Sequence, residues 1–213
     1  MKPFAGELKM TFSKGKFIVF EGIDGCGKGT QLKKAASYIF DKNKEYDLYM
    51  TREPTRDFKE IRRKMAMDTD AKKDAEWYTR MFIKDRRNHI DKYILPALKK
   101  GTHVLSDRYK HSTMAYQHTQ GTDISYLRNI HYPMPVPDIT FIFDCPAKVA
   151  FERRKSEGAT DVFDKDLNFQ EELRHNYLNL KQELPKENIA IIDSRYKIEE
   201  IFEKVRSELD KIL

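Results

Sequence analysis

Residues 16–31 read Lys-Phe-Ile-Val-Phe-Glu-Gly-Ile-Asp-Gly-Cys-Gly-Lys-Gly-Thr-Gln. An apolar run leads into a glycine-rich loop and then into an amphipathic segment, which predicts a strand, a tight loop and a helix start. Glycines let backbone N–H groups approach phosphate oxygens without Cβ atoms in the way, and a helix N-terminus attracts anions. We therefore predict a phosphate-binding loop in which Lys28 supplies a mobile positive charge to the outer phosphates. The predicted contacts of this loop are Gly22, Gly25, Cys26, Gly27, Lys28, Gly29 and Thr30.

The loop departs from the common phosphate-loop pattern at one position. Gly29 stands where Ser or Thr normally holds magnesium, and Thr30 follows one residue later. This departure argues against a switch GTPase, which relies on that hydroxyl. The run Lys-Gly-Thr-Gln resembles nucleoside monophosphate kinases, in which magnesium is held largely through water and phosphate. A glycine-rich turn without a ligand is the simpler alternative.

Composition favours one globular domain over residues 1–213, with residues 1–14 as a candidate disordered leader. No apolar run reaches membrane-spanning length and no secretory signal is apparent, so we expect a cytoplasmic protein without membrane contact. The net charge of +6 permits nucleic-acid binding. Because the basic residues are spread along the chain, we expect small nucleotides as partners and no nucleic acid. The two cysteines predict neither a disulfide framework nor a metal cluster.

Short apolar segments alternate with longer helical ones. Strands are predicted at 16–21, 47–51, 102–106, 138–144 and 188–193. The stretch 70–99 is predicted to be one long helix that ends around Pro96 and Gly101. Strands that alternate with helices indicate an α/β fold with three layers, a five-stranded parallel sheet flanked by helices on both faces.

Ligands of such sheets bind beyond the carboxyl ends of the strands, and the strand ends here are strongly polar. Arg52 and Arg108 follow two of the strands and are candidate phosphate clamps, because guanidinium groups pair bidentately with oxyanions. Carboxylates beside a phosphate site orient arginines or hold magnesium. The candidates are Asp24, Glu53 and Asp107.

Several separated motifs together resemble the thymidylate kinase family of P-loop nucleoside monophosphate kinases, over residues 16–205. Residues 20–25 with Gly27-Lys28 resemble the phosphate loop of that family, and Thr51-Arg52-Glu53-Pro54 resembles its second-strand motif. Residues 107–109, followed by Ser112 and Ala115-Tyr116-Gln117, resemble its signature. Phe82 and Arg86 stand four residues apart, as do the thymine-stacking aromatic residue and the base-binding arginine of the family.

The resemblance implies transfer of the γ-phosphoryl group of ATP to dTMP, giving dTDP and ADP, with Mg²⁺ and in a homodimer. Lys28, Asp24, Arg108 and Arg153 are then the expected catalytic residues, and Asp107 is the expected metal-associated acid. The residues expected to bind dTMP are Asp24, Arg52, Glu53, Phe82, Arg86, Arg108, Thr113, Tyr116 and Gln117.

On the ATP side, the resemblance implies a mobile lid at about residues 153–167 and an adenine-side loop containing Ser194 and Arg195. Gly25 occupies a position where some family members carry arginine, which assigns the positive charge at the transfer stage to the lid. Arg153 is the first candidate for it and Arg154 the second. Thr55-Arg56 replaces two glycines that commonly follow the second-strand motif.

Two alternatives remain open from the sequence. One is a different or broader-specificity nucleoside monophosphate kinase. The other, from another functional class, is a catalytically inactive nucleotide-binding or switch protein.

Overall fold

The structure is a computed structural model that describes residues 15–70, 73–156 and 166–213. The expected leader, residues 1–14, lies outside the described residues. So does most of the expected lid, because residues 157–165 are not described.

The described chain contains one five-stranded parallel sheet in the order β2-β3-β1-β4-β5. Its strands are β1 (Phe17–Glu21), β2 (Leu48–Arg52), β3 (His103–Asp107), β4 (Ile139–Asp144) and β5 (Ile189–Asp193). Each strand lies within one residue of its predicted bounds. The three-layer α/β prediction is confirmed, because helices cover both faces of this sheet.

The helices connect the strands and follow the last one. In the described ranges they are α1 (Lys28–Lys42), α2 (Lys59–Met67), α3 (Ala75–His89), α4 (Leu95–Lys99), α5 (Lys110–Thr119), α6 (Ile124–His131), α7 (Ala147–Ser156), α8 (Leu167–Glu183) and α9 (Ile198–Leu209). None of them is both long enough and apolar enough to cross a membrane.

The predicted long helix at 70–99 begins later and is not uniform. It starts at Ala75, and a π-helical turn at Ile90–Ile94 joins α3 to α4. Pro96 follows this turn, and a proline inside a helix has no N–H and clashes with the carbonyl four residues earlier. A widened turn accommodates such a residue without ending the helix. The helix therefore continues past Pro96 to Lys99, before Gly101.

Alternate side chains of β1 anchor two separate cores. Ile18 and Phe20 belong to the larger cluster with α1, α8 and α9, whereas Phe17 and Val19 pack against Ile90 and other residues of the second cluster. All of these side chains are at least 95% buried. Burying an aliphatic or aromatic side chain contributes about 1.5–3 kcal/mol, so β1 fixes the sheet against both helical layers. The loop that follows β1 is thereby held in place.

Gly25 lies where this loop meets α7. Its φ is +84°, and a Cβ atom on it would lie 2.2 Å from the carbonyl oxygen of Ala150 and 2.9 Å from Cγ of Arg154. A side chain at this position would collide with the backbone of α7. Gly27 has a similar φ of +90°, but a Cβ there would meet nothing within 4 Å.

We predict that Gly25→Ala destabilises the protein more than Gly27→Ala does. Both substitutions place alanine in a left-handed conformation, at about 1–3 kcal/mol. Gly25→Ala must also displace α7, which adds about 1–3 kcal/mol typical of overpacking. Urea unfolding of the two variants measures the difference. Equal losses in the free energy of unfolding would contradict the close approach of α7 to the loop.

Candidate active site

The phosphate-binding loop runs from Gly22 to Gly27, between β1 and α1. Gly22 has a φ of +134°, and a Cβ on it would lie 2.8 Å from the carbonyl oxygen of Phe143 on β4. Gly27 caps α1 in the left-handed conformation, and its carbonyl accepts the N–H of Thr30. The first N–H groups of a helix have no partner within it, so the start of α1 offers them to an anion. The loop thus has the geometry that the sequence predicts.

Cys26 is part of this loop but its thiol points into the core. Its backbone N–H donates to the carbonyl oxygen of Ile23 at 3.3 Å, and its side chain is buried. Burial raises the pKa of the Cys26 thiol despite nearby Lys28. The residue therefore fits the loop as a small buried group.

Three charged side chains meet at the carboxyl edge of the sheet. Oδ1 of Asp24 accepts from Nζ of Lys28 at 3.0 Å and from Nη2 of Arg108 at 2.8 Å. Burial raises the pKa of Asp24, but the two cations outweigh it and hold that pKa far below its usual range. Burial and Arg108 lower the pKa of Lys28, whereas Asp24, Cys26 and Asp107 raise it, and the net result is a raised pKa. At neutral pH the cluster therefore consists of a carboxylate between two cations.

Arg108 is held in place by its backbone and its side chain. It has a φ of +74°, uncommon for a residue with a side chain, and its N–H donates to the carbonyl oxygen of Phe20 at 2.9 Å. Its guanidinium carbon lies 5.3 Å from the centre of the Tyr116 ring. Nη2 also donates to the Tyr116 hydroxyl at 3.3 Å. Such a guanidinium can present N–H donors to a phosphate at the mouth of the site.

A cavity beside this cluster contains most of the residues predicted to bind the acceptor. Phe82 and Tyr116 contribute aromatic surface to it, and Met65 of α2 adds an apolar contact. The other lining residues are Asp24, Glu53, Pro54, Arg86, Arg108, Ser112, Thr113 and Gln117. Oε1 of Gln117 is buried and has no hydrogen-bond partner among the described residues. A flat ring with an N–H donor could stack on the aromatic side chains and donate a hydrogen bond to this oxygen.

Arg86 lies at the base of the cavity and is 1% exposed. Nε donates to Oε2 of Glu53 at 2.7 Å, and both Nη atoms reach the Thr113 hydroxyl at 3.1 Å. Nη2 also donates to the carbonyl oxygen of Tyr109 at 3.0 Å, and Nη1 contacts Nε2 of His131 at 2.9 Å. The predicted base-binding arginine of α3 is therefore already part of a buried network that includes the residue after β2, α5 and the end of α6.

Arg52 and Asp107 lie at the open side of the phosphate loop. Arg52 is largely exposed, and its Nη2 lies 3.3 Å from Oδ2 of Asp107. Oδ1 of Asp107 is buried and has no partner among the described residues. Neither residue lines the acceptor cavity; both line the second cavity, around the phosphate loop. No cluster of three or more His, Cys, Asp or Glu residues suited to a metal was found in the described ranges.

The second cavity follows the start of α1 and reaches α7 and the start of α9. Its lining residues are Asp24–Gln31, Lys33, Arg52, Asp107, Arg153, Arg154 and Tyr196–Ile201. Arg153 donates from Nη2 to the carbonyl oxygen of Ser194 at 3.1 Å. Arg153 therefore joins α7 to the loop after β5.

The loop predicted to lie on the adenine side, which contains Ser194 and Arg195, only partly lines this cavity. Ser194 is fully buried, and its hydroxyl donates to the carbonyl oxygen of Asp144 at 2.9 Å. Arg195 is exposed and pairs with Asp193 at 2.6 Å. Neither side chain lines the cavity; the next residues, Tyr196 and Lys197, do. The predicted loop borders the cavity through these two residues, whereas the polar groups of Ser194 and Arg195 bond to Asp144 and Asp193 at the strand ends.

The sequence analysis did not identify two buried polar residues of α3 that support the site. His89 lies 3.0 Å from Oε1 of Glu53 and 2.7 Å from the Thr51 hydroxyl. Asp85 accepts the N–H of Thr55 at 2.7 Å and also its hydroxyl, so it fixes the Thr55-Arg56 turn. Asp85 and His89 stand four residues apart, on one face of the helix with Arg86 between them. Two polar residues four apart on a helix lie on the same face. This spacing, next to Arg86, is the sequence signal that could have identified Asp85 and His89.

Comparison with known proteins gives a consistent result. A family model described as thymidylate kinase matches residues 20–205. A probable thymidylate kinase of Pyrococcus horikoshii is 37% identical over 193 residues, which cover 88% of this chain and 92% of that protein. The thymidylate kinase of Carboxydothermus hydrogenoformans is 34% identical over 204 residues, or 92% of this chain and 98% of that protein.

A solved structure agrees with these sequence relatives. The crystal structure of thymidylate kinase from Ehrlichia chaffeensis superimposes with a TM-score of 0.73 at 27% identity, over 92% of this chain and 99% of that chain. The family model begins at Phe20 within β1 and ends at Val205 within α9, so it includes the strand-end residues of both cavities. From its motifs, its sheet and these relatives, the chain belongs to the thymidylate kinase family.

Proposed function

We propose that the protein transfers the γ-phosphoryl group of ATP to dTMP, giving dTDP and ADP. One observation carries this proposal: the phosphate-loop cavity and the aromatic-walled cavity share Asp24, where Lys28 and Arg108 meet. A donor in the first cavity and an acceptor in the second would bring their phosphates together at this cluster. Phosphoryl transfer needs mainly this alignment and stabilisation of charge.

The acceptor cavity supplies groups that suit a thymine nucleotide. Phe82 offers a ring for stacking, and Oε1 of Gln117 can accept the single ring N–H of thymine. Thr113 and Arg86, which contact each other, also line this cavity and add hydrogen-bonding groups. Tyr116, which lies beside Arg108, would face the sugar and would exclude a 2′-hydroxyl by steric contact with its ring. Discrimination then comes from fit and from unpaired polar groups.

The charged residues have separate roles in the transfer. Arg108 lines the acceptor cavity and Arg52 lines the phosphate-loop cavity, so both would bind the acceptor phosphate where the two cavities meet. Lys28 with the N–H groups of the loop would bind the outer phosphates of ATP. An oxygen of the acceptor phosphate attacks the γ-phosphorus in line, and the bond to the β-phosphate oxygen breaks as ADP leaves. Lys28, Arg108 and Arg153 stabilise the charge that spreads over the transferred group.

Asp107 is the described residue that would hold Mg²⁺. Its buried Oδ1 lacks a partner, and hard oxygen ligands together with phosphate oxygens and water are what Mg²⁺ prefers. The ion would neutralise part of the charge on the phosphates. Gly29 has no hydroxyl group, so that position of the loop supplies no second side-chain ligand for Mg²⁺ beside the Asp107 carboxylate.

The remaining features of the proposal follow the family. We propose that the enzyme is a cytoplasmic homodimer that acts on small nucleotides and binds no nucleic acid. A kinase with broader acceptor specificity is the second candidate, because a glutamine amide can present either its oxygen or its NH₂ group to a base. Gln117 would then accept bases other than thymine.

We expect selective turnover of dTMP in an assay of ADP release from MgATP. The acceptors are dTMP, dUMP, dCMP, dGMP, dAMP and UMP, beside a blank without acceptor. Lys28→Met, purified in the same way, reports any contaminating kinase, because it keeps the side-chain length and removes the charge at the phosphates. Equal rates with several acceptors would replace the proposal by the broader kinase. Absence of acceptor-dependent turnover, with nucleotide binding intact, would establish the inactive binding protein.

We also predict that Phe82→Ala weakens dTMP binding by about 5- to 150-fold, because stacking of a base on an aromatic ring contributes about 1–3 kcal/mol. The KM for ATP should stay within about twofold, since Phe82 does not line the donor cavity. Phe202→Ala is the matched control: this half-buried phenylalanine packs on the same core and lines neither cavity. Equal effects of the two substitutions on the KM for dTMP would refute the stacking role.

A further inference from the structure

Tyr177 of α8 is a buried tyrosine whose hydroxyl lies among polar groups of the active site. It is 1% exposed and lines neither cavity. Nη1 of Arg108 donates to this hydroxyl at 2.9 Å, and the Ser112 hydroxyl lies 2.9 Å away. The tyrosine hydroxyl also donates to Oε2 of Glu21 at 3.2 Å. The tyrosine therefore bonds directly to the arginine that is proposed to bind the acceptor phosphate.

Glu21 fixes the direction of this hydroxyl. It is the last residue of β1 and is fully buried. Its Oε1 accepts the N–H of Tyr109 at 2.7 Å and that of Ser112 at 3.1 Å, while Oε2 accepts the Ser112 hydroxyl at 2.6 Å. Burial and then Glu21 raise the pKa of the Tyr177 hydroxyl well above its usual value, so the proton stays on the tyrosine. The hydroxyl can then donate to Glu21 and accept from Arg108 at the same time.

The two ends of the Arg108 guanidinium are held by different groups. Nη1 bonds Tyr177 and the Ser112 hydroxyl, at 2.9 and 3.0 Å, and Nη2 bonds Asp24 and Tyr116. Asp24 alone would fix one end of a planar group and leave it free to rotate about that contact. The second pair of acceptors removes this freedom.

The ring of Tyr177 has a second contact in the site. It packs edge-on against the ring of Tyr116, with centroids 6.3 Å apart and an interplanar angle of 89°. Edge-to-face pairs of this kind are favourable and directional. Tyr116 is the residue proposed to face the deoxyribose. One side chain of α8 thus contacts both the phosphate-binding and the sugar-facing residue.

We propose that Tyr177 is a positioning residue of the acceptor site: its hydroxyl directs the Arg108 guanidinium and its ring supports Tyr116. This inference rests on the proposed function, because it assigns Tyr177 to the binding of the acceptor nucleotide. Tyr177 acts through Arg108 and makes no contact with substrate itself.

Tyr177→Phe tests the role of the hydroxyl while keeping the ring. A hydrogen bond between a charged and a neutral group is usually lost at a cost of about tenfold in binding or rate. We expect kcat/KM for dTMP to fall by about tenfold or more, and dTMP binding measured by titration calorimetry to weaken. The KM for ATP should stay within about twofold. Tyr109→Phe is the matched control, because it removes the hydroxyl of another fully buried tyrosine, and among the described residues that hydroxyl donates to the carbonyl oxygen of Pro135 and not to Arg108.

A double-mutant cycle separates positioning from a general structural effect. If Tyr177 acts through Arg108, Tyr177→Phe should change kcat/KM by less than about twofold in an Arg108→Lys background, whose amine has no planar group to orient. An equal loss in both backgrounds, or an equal loss with Tyr109→Phe, would overturn the inference. If Tyr177→Phe does not fold, Ser112→Ala replaces it, because it removes the other acceptor of Arg108 Nη1. It must then lower kcat/KM in the wild-type background and change it by less than about twofold in the Arg108→Lys background.

The wild-type enzyme, measured beside the variants, distinguishes this inference from the proposed function. Wild-type turnover of another monophosphate, with that acceptor weakened by Tyr177→Phe, would refute the choice of dTMP and support the role of Tyr177. Wild-type turnover of dTMP that Tyr177→Phe leaves unchanged would refute the role of Tyr177 alone.

Discussion

The Asp24 carboxylate lies between two cations, the Lys28 ammonium and the Arg108 guanidinium, and the ligand-binding edge of the sheet depends on this contact. Two cations held this close repel each other, and Arg108 by itself lowers the pKa of Lys28. A shared carboxylate offsets that repulsion and the cost of removing the charges from water. It also places one cation at each of the two cavities. When phosphates arrive, they meet charges that are already oriented, which is the condition for electrostatic catalysis without reorganisation.

The sheet explains how residues far apart in the chain reach this point. Asp24 follows β1, Arg52 ends β2 and Arg108 follows β3, and the order β2-β3-β1 makes these strands neighbours. This part of the site could be predicted from the sequence, because apolar runs mark the strands and parallel strands end at one edge. The glycines of the loop were predictable for a similar reason. Gly25 in particular has no room for a side chain. A cationic side chain at this position is therefore excluded, and other residues must supply positive charge near the phosphates.

Other features depend on long-range contacts that no local pattern reveals. The burial of Arg86 requires Glu53, Thr113 and His131 to converge from three elements, and spacing on α3 says nothing about them. The same is true of Tyr177, which looks like an ordinary core tyrosine of α8 until its hydroxyl is seen beside Arg108. Ser194 shows the converse: it lies at the ligand-binding edge, but its hydroxyl donates to the carbonyl oxygen of Asp144 on β4. Local sequence identifies which residues reach the edge, and the surrounding contacts decide which of their atoms remain available.

Asp24 organises both cations, and Asp24→Asn tests this role most directly because the side chain keeps its shape and loses its charge. With folding verified by thermal unfolding, steady-state kinetics should show kcat reduced by about 100-fold or more, the scale of losing one organised electrostatic contact in an active site. The dissociation constants of dTMP and MgATP should change much less, within about tenfold, because both cations remain present to attract phosphate. A variant with near wild-type kcat would contradict the claim, since the cations would then be oriented without the carboxylate between them.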